Sequence, residues 1–298
     1  MSRPRRWGCR APCRCASRAV RSRHGWRSGS SRARAAPVGV VVSRRILRAV
    51  PLPEATPQRF RDVRRLAEVD STNRYLLDEA RRGAATGLVV VADHQTAGRG
   101  RLGRTWEAPA GASLLMSVLL RPALGVVDRQ LVVMAAAVAM AEAVETATGV
   151  RPELKWPNDL LVGNRKLGGI LAEASGDAVV VGIGVNVAWP AVPPELDGIA
   201  TACNLEGGRP ATRDGVLGAF LERYGPRLDD LEATRREYRV RLATLGCRVR
   251  VERADGVVTG TARDVDPAGH LLVDVDGDGT EVVAAGDVVH LRRDDQRG

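Results

Sequence analysis

The sequence predicts an α+β domain with a small β-barrel appended to its C-terminal end. Three observations carry this. Between Phe60 and Leu245, short apolar strand-like runs are mixed with helical segments. One of those segments, Asp128 to Thr148, is a long Ala/Val/Met-rich helix, apolar on most faces and so read as buried. From Arg248 the apolar period switches to two, and closely spaced strands occupy roughly the last 45 residues.

Taken in order, PLPEATP at 51–57 carries three prolines and reads as a linker. Asp70-Ser71-Thr72-Asn73 supplies helix-capping residue types, and Tyr75, Leu76 and Leu77 open a short helix that stops at Gly83. Leu88 to Ala92 is a fully apolar strand, and a polar Gly/Arg-rich loop follows from Gln95 to Gly111. Ser113 to Leu120 is again strand-like, and the long helix ends at Gly149. Strands then come quickly: around Leu154, at Leu160 to Val162, Gly168 to Ala174 and Ala178 to Asn186, with Gly163-Asn164 as a hairpin turn. Residues 212–245 read as helix in two pieces, broken near Gly225-Pro226. In the barrel region Arg248 to Glu252 alternates strictly, Val257 to Val265 and Leu271 to Val275 are strands, Asp276 to Gly279 is a turn, and Glu281 to Leu291 holds one or two more strands. This divides the chain into a disordered tail and linker at 1–57, a main domain at 58–245 and the β-barrel at 246–293.

The 298 residues carry a formal net charge of +10, which taken whole suggests an acidic partner. The distribution argues otherwise. Residues 1–50 hold fourteen Arg and no acid, so residues 51–298 are left at −4. The tail is Arg/Ser/Ala/Gly-rich and unpatterned, as a disordered segment is. Three readings of it stay open: a translated upstream stretch with the true start between Val38 and Val50, a basic arm for nucleic acid, or a transit peptide. Cys9, Cys13 and Cys15 have no second ligand pair at zinc-site spacing, and His24 alone does not supply one. Five cysteines are too few for a disulfide scaffold, so Cys203 and Cys247 read as free structural thiols in a reducing, cytoplasmic setting. No apolar run reaches the ~18 residues of a membrane helix. Of 45 Lys and Arg only two are Lys, and both, Lys155 and Lys166, fall in one segment.

Three segments carry chemistry. In Gly98-Arg99-Gly100-Arg101-Leu102-Gly103-Arg104-Thr105-Trp106, glycine lets backbone N–H groups approach an anion and arginine supplies bidentate phosphate contacts. Such a loop is expected to order over a phosphate-bearing ligand, with Trp106 stacking at its edge; the alternative is a solvated Arg-Gly loop. It lacks both the P-loop ending and the dinucleotide fingerprint. In Lys155-Trp156-Pro157-Asn158-Asp159, running on to Lys166-Leu167-Gly168-Gly169, a scarce lysine ends an apolar strand where it can meet a carboxylate or an α-phosphate as a point charge; an exposed lysine in an ordinary turn is the alternative. In Gly182-Ile183-Gly184-Val185-Asn186, alternate glycines leave one strand face bare, for a flat ligand or for a closely packed helix.

Together these segments resemble the biotin protein ligase family over roughly residues 66–291. The carrying residues are Asp70-Ser71-Thr72-Asn73, GRGRLGRTW at 98–106, KWPNDLL at 155–161, KLGGILAE at 166–173 and GIGVNV at 182–187. The resemblance implies a mixed-sheet catalytic domain followed by an SH3-like barrel. It implies an ATP- and Mg2+-dependent enzyme that forms biotinyl-5′-adenylate and transfers biotin to one lysine of a biotin carboxyl carrier domain. It assigns Lys155 and Arg101 to catalysis. It assigns Ser71, Thr72, Asn73, Gln95, Gly98, Arg99, Gly168 and Gly184, with Arg101 and Lys155, to biotin. It assigns Arg104, Trp106 and Asn186, with Arg99, Arg101 and Lys155, to the nucleotide. Metal ligands are not readable, and a monomer and a homodimer both stay open. A lipoate or octanoyl ligase of the same superfamily, or a non-catalytic binding module, are the rivals.

Residues 1–60 show no helix-turn-helix pattern, so the monofunctional type without a DNA-binding domain is expected. Any DNA affinity should therefore track residues 1–50 and fall steeply with salt. Gel-shift titration of the full chain and of a chain beginning at residue 51 checks this; sequence-specific binding by the shorter chain would contradict it.

Overall fold

The computed structural model describes residues 46–47, 58–122, 129–207, 209–210, 212–253 and 255–291. Most of the expected tail, with its cysteine cluster and His24, lies outside them. Within that tail, Ile46–Leu47 (β1) forms a short strand against Val63–Val69 (β2), so the expected 1–57 tail is not wholly unstructured.

The chain continues through α1 (Thr72–Arg81), β3 (Val89–Gln95), β4 (Ser113–Leu120), α2 (Arg129–Thr148), β5 (Glu153–Lys155), β6 (Asp159–Val162), β7 (Arg165–Ser175) and β8 (Ala178–Asn186). The strands make one eight-stranded sheet in the order β1-β2-β3-β4-β8-β7-β6-β5. Only β2 and β3 run parallel; every other pairing is antiparallel, which makes the sheet mixed. Helices α3 (Arg213–Asp229) and α4 (Leu231–Arg241) complete this part.

Strand alternation divides the interior in two. Val89, Val91, Leu114, Met116, Val118, Val181, Ile183 and Val185 face α2 and the main core, while Val90, Ala92, Leu119 and Val180 face α1 with Leu76 and Leu77. The α1 side is the poorer in bulk. There β4 presents Ser117, and β8 presents Gly182 and Gly184, where large side chains would otherwise stand. The pocket opens on this face.

One strand is added and two expectations are corrected. Strand β2 (VRRLAEV) is hidden in the sequence by its basic Arg64-Arg65 pair; burial of Leu66 and Val69 fixes it, and Arg64 is neutralised by Glu79 at 2.7 Å. The break near Gly225-Pro226 does not occur: α3 runs through Pro226, and the interruption falls at Asp230, whose side chain accepts the Ala233 N–H and caps α4. Finally, α2 is long and apolar enough by length and composition to cross a membrane. Its apolar surface is instead covered inside the protein, from Val132 to Met140 without a break.

Residues from Arg248 form a five-stranded antiparallel sheet from β9 (Arg248–Arg253), β10 (Gly256–Val265), β11 (Leu271–Val275), β12 (Gly279–Val283) and β13 (Asp287–His290), in the order β12-β11-β10-β9-β13. Alternate residues Val249, Val251, Leu271, Val273 and Val288 are buried. The outer strands β12 and β13 do not pair with each other, so the hydrogen bonding is that of a curved sheet rather than a closed barrel. This sheet grips the corner after β5. Trp156 donates its indole N–H to Gly269 O (3.0 Å) and its backbone N–H to Thr244 Oγ1 (3.1 Å), and Thr244 Oγ1 lies 3.3 Å from His290 Nε2. Thr244 Oγ1 accepts from Trp156 and keeps a proton and a second lone pair, so it can meet His290 Nε2 as donor or as acceptor.

Burial, reinforced by the charge of Lys155, holds the His290 imidazole down at about 4. In the unfolded chain it titrates near its ordinary 6.5. Between these values the unfolded chain takes up a proton that the folded chain refuses. This contribution to stability is therefore complete above pH ~6.5 and drains away as the pH falls to ~4, by about 3 kcal/mol. Urea midpoints of the wild type and His290→Gln at pH 7, 5.5 and 4.5 check it: the wild type should lose stability more steeply, and parallel curves would contradict the assignment.

Candidate active site

The pocket lies where the start of α1, the end of β3, the glycine-arginine loop and the middle of β7 and β8 meet. Its floor is a polar cluster. Thr72 directs both its N–H (2.8 Å) and its Oγ1 (3.0 Å) at Gln95 Oε1. Ser117 Oγ lies 2.7 Å from Thr72 Oγ1 and 2.7 Å from Asn73 Oδ1. Asn73 Nδ2 donates to Leu171 O (3.1 Å) and Glu173 Oε2 (2.8 Å). Two hydroxyl protons thus serve three oxygen–oxygen contacts, which leaves acceptor capacity for a ligand donor. Ser71 stands at the N-cap of α1, but its side chain makes no capping bond; Thr72 and Asn73 are likewise turned toward the site. Ser71, Thr72 and Asn73 therefore serve the pocket, while Asp70 stays with the helix start, accepting the Ser71 N–H and pairing with Arg74.

The loop covers this floor, and its order does not rest on a ligand alone. Gly100 N–H donates to Arg104 O (2.7 Å), Trp106 N–H to Gly98 O (3.0 Å), and Arg99 and Thr105 form a β-bridge, with Leu102 at the exposed tip in the left-handed region (φ +55°). At Gly98 a Cβ would stand 2.2 Å from Trp106 O, so the base of the loop needs glycine. Trp106 lies across the bare strands. A Cβ at Gly184 would be 2.6 Å from its ring, and one at Gly182 would be 2.2 Å from Asn73 Oδ1. The flat group on the Gly-x-Gly strand is thus supplied by the protein itself. The Trp106 indole N–H is buried without an acceptor among the described residues, although it lines the pocket.

Cations gather at the loop end. Arg99 pairs with Glu173 (3.0 Å), Arg104 with Asp287 of β13, and Lys166 with Asp159 (2.7 Å) while its Nζ stands 5.6 Å over the Trp106 ring. The Lys166–Asp159 contact is an ion pair rather than a directed hydrogen bond, since that Asp159 oxygen has no well-aligned donor. Arg101 differs: its only described partner is the neutral Asn158 Oδ1 at 3.2 Å, and burial pulls its guanidinium down despite Asp287 and Asp159. Lys155 is also drawn down by burial, against the pull of Asp159 and Asp287, and has no carboxylate within ion-pair distance among the described residues. Two cations held partly out of water without a counter-ion are a setting for an anionic ligand.

Of the residues read from the sequence, the structure brings Ser71, Thr72, Asn73, Gln95, Arg99, Arg101, Arg104, Trp106 and Gly184 onto the pocket wall. Lys155 stands beside it, opposite Asp159 in the β5–β6 pairing, while Gly98 and Gly168 shape it from behind, a Cβ at Gly168 meeting Gly184 O at 2.8 Å. Asn186 is not brought there. It is buried, its amide donates to Thr201 O (2.8 Å) and its oxygen accepts from Ser113 Oγ (3.3 Å), and it does not line the pocket. Gly182, already read as part of the bare strand face, lines the pocket too; Asn158, Asp159 and Lys166 lay in a named segment without being given a role, and Leu171 and Asp287 were missed. The scarcity of lysine pointed to Lys166; nothing in the sequence pointed to Asp287. Cys203 takes no part, and burial pushes its thiol up to about 12. Among the described residues no three His, Cys, Asp or Glu side chains cluster as metal ligands.

Comparisons agree with this geometry. Residues 66–187 match the Biotin/lipoate A/B protein ligase family, and residues 244–291 match the Biotin protein ligase C terminal domain. The chain is 42% identical over 241 residues to a biotin–[acetyl-CoA-carboxylase] ligase of Mycobacterium tuberculosis, covering 76% of this chain and 88% of that one. It is 32% identical to the bifunctional ligase/repressor BirA of Escherichia coli, over 71% of this chain and 69% of that one. A biotin protein ligase from Aquifex aeolicus, solved in complex with biotin and ATP, superposes with a TM-score of 0.70 at 30% identity, over 78% of this chain and all of that one. Fold, pocket and relatives converge: the chain belongs to the biotin protein ligase family.

Proposed function

We propose that this enzyme couples biotin to AMP at the expense of ATP and passes the biotinyl group to one lysine of a biotin carboxyl carrier domain of an acyl-CoA carboxylase. The observation that carries this is the polarity of the pocket: a hydrogen-bonding floor at one end, and at the other two cations without an ion-paired carboxylate, Arg101 on the wall and Lys155 beside it. A ligand with a neutral heteroatom-rich head and an anionic tail suits it. Thr72, Asn73 and Gln95 would orient the ureido head.

In the first step a carboxylate oxygen bonds to the α-phosphorus, and the bond from that phosphorus to the bridging oxygen breaks as pyrophosphate leaves. The two reactants are both anions. Lys155 and Arg101 offset their repulsion and stabilise the charge that builds up during transfer. In the second step the acceptor amine bonds to the acyl carbon, AMP leaves, and the amine loses a proton. The closed loop keeps water from the mixed anhydride. Magnesium is read as arriving on the nucleotide. The two carboxylates on the pocket wall, Asp159 and Asp287, are engaged by Lys166 and Arg104, so they do not fit a resident metal site. We read the setting as the cytoplasm.

Pyrophosphate exchange into ATP tests this. It should require biotin, should fail with lipoate, and should drop about 10²–10³-fold in Lys155→Ala with the fold retained. Exchange driven by lipoate would move the chain to the sister activity, and no exchange with either acid would favour a non-catalytic binding module.

A further inference from the structure

One carboxylate on this face is unaccounted for by the chemistry. Glu173 stands on β7, on the α1 side of the sheet, and its two oxygens go to different places. Oε1 lies 3.0 Å from Arg99 Nη1 in the loop, and Oε2 accepts from Asn73 Nδ2 at 2.8 Å on the pocket floor. Asn73 Oδ1 contacts Ser117 Oγ, Ser117 contacts Thr72 Oγ1, and Thr72 donates to Gln95 Oε1. Gln95 ends β3, the strand that leads into the loop. The chain of contacts therefore closes on itself. It runs from the loop through Glu173 and the floor, and returns to the loop along the backbone.

We infer that Glu173 is a positioning residue that ties closure of the glycine-arginine loop to the polar floor that reads the ligand head. It sits away from the reacting atoms and acts through Arg99 and Asn73. A ligand head that fixes Asn73 also fixes the carboxylate, and so makes Arg99 a better anchored partner. Loosening the floor frees the loop. The Arg104–Asp287 pair holds the loop from the other end, but among the described residues neither has a hydrogen bond or ion pair to the floor cluster, so Glu173 is the side-chain link from the head-group floor to Arg99, beside the backbone route through Gln95. The inference rests on the proposed biotin reading for the identity of the ligand, but not for the contact itself.

Hydrogen exchange of the loop amides in the full chain tests it. In the unliganded protein, Glu173→Gln should speed exchange at Gly100 and Trp106 about fivefold, the scale of one partly exposed ion pair. Arg99→Gln breaks the same pair from the exposed side, where the core is not at risk, and should give the same increase. The double variant should add nothing to either single one. Equal exchange in Glu173→Gln and wild type, or additive effects in the double variant, would overturn the inference. Repeating the experiment with biotin separates the two claims. Wild type that gains no protection from biotin counts against the functional reading while the unliganded comparison still decides Glu173. Wild type and Glu173→Gln gaining equal protection counts against Glu173 alone.

Discussion

The pocket depends on the absence of side chains at the centre of the sheet. The core on the α2 side is continuous from β3 to β7. On the α1 side Gly182 and Gly184 interrupt β8, and the resulting space is taken by the Asn73 amide and the Trp106 indole. Neither can be seated if a methyl group is added beneath it. The loop, the floor and the cation cluster all take their positions from these two seats, because the loop is fastened to the sheet through Trp106 and to the floor through Arg99 and Glu173.

A second constraint comes from the C-terminal sheet. It contributes little to the pocket wall, yet it reaches both ends of the reactive region. Asp287 holds Arg104 in the loop, while Thr244, Gly269 and His290 hold the corner that carries Lys155 and Trp156. The charges are arranged with the same economy. Arg99, Arg104 and Lys166 are neutralised by carboxylates, while Arg101 and Lys155 are left without one. A partly buried cation without a counter-ion is costly, and it is tolerated at a place where an anion is to be received.

Much of this was legible in the sequence, for identifiable reasons. Loop, lysine corner and glycine strand are local motifs, and their residue types already state what they do: glycine for close approach, arginine for anions, scarce lysine for a point charge. The helix after Asp70 and the β3, β4 and β8 strands announce themselves by apolar runs. What was not legible depends on long-range pairing. Strand β2 hides behind Arg64-Arg65 because Glu79, on the following helix, neutralises Arg64. Pro226 looks like a helix break, yet a proline removes only one helical bond, and α3 keeps its buried face from Val216 to Tyr224. Asn186 looks like a base reader until Ser113 and Thr201 are seen to take its amide. Asp287, 183 residues from Arg104, has no sequence signature at all.

Calorimetric titration of biotin into wild type and Gly184→Ala, with the urea midpoint of each recorded alongside, decides whether the bare strand shapes the site. A methyl group there has to push the Trp106 ring from its seat and unfasten the loop, while the strand itself can accept an alanine. Biotin affinity should fall at least about tenfold in a variant whose stability falls by no more than about 1–2 kcal/mol. Wild-type affinity in a folded Gly184→Ala protein would mean that the bare strand is not what shapes the site.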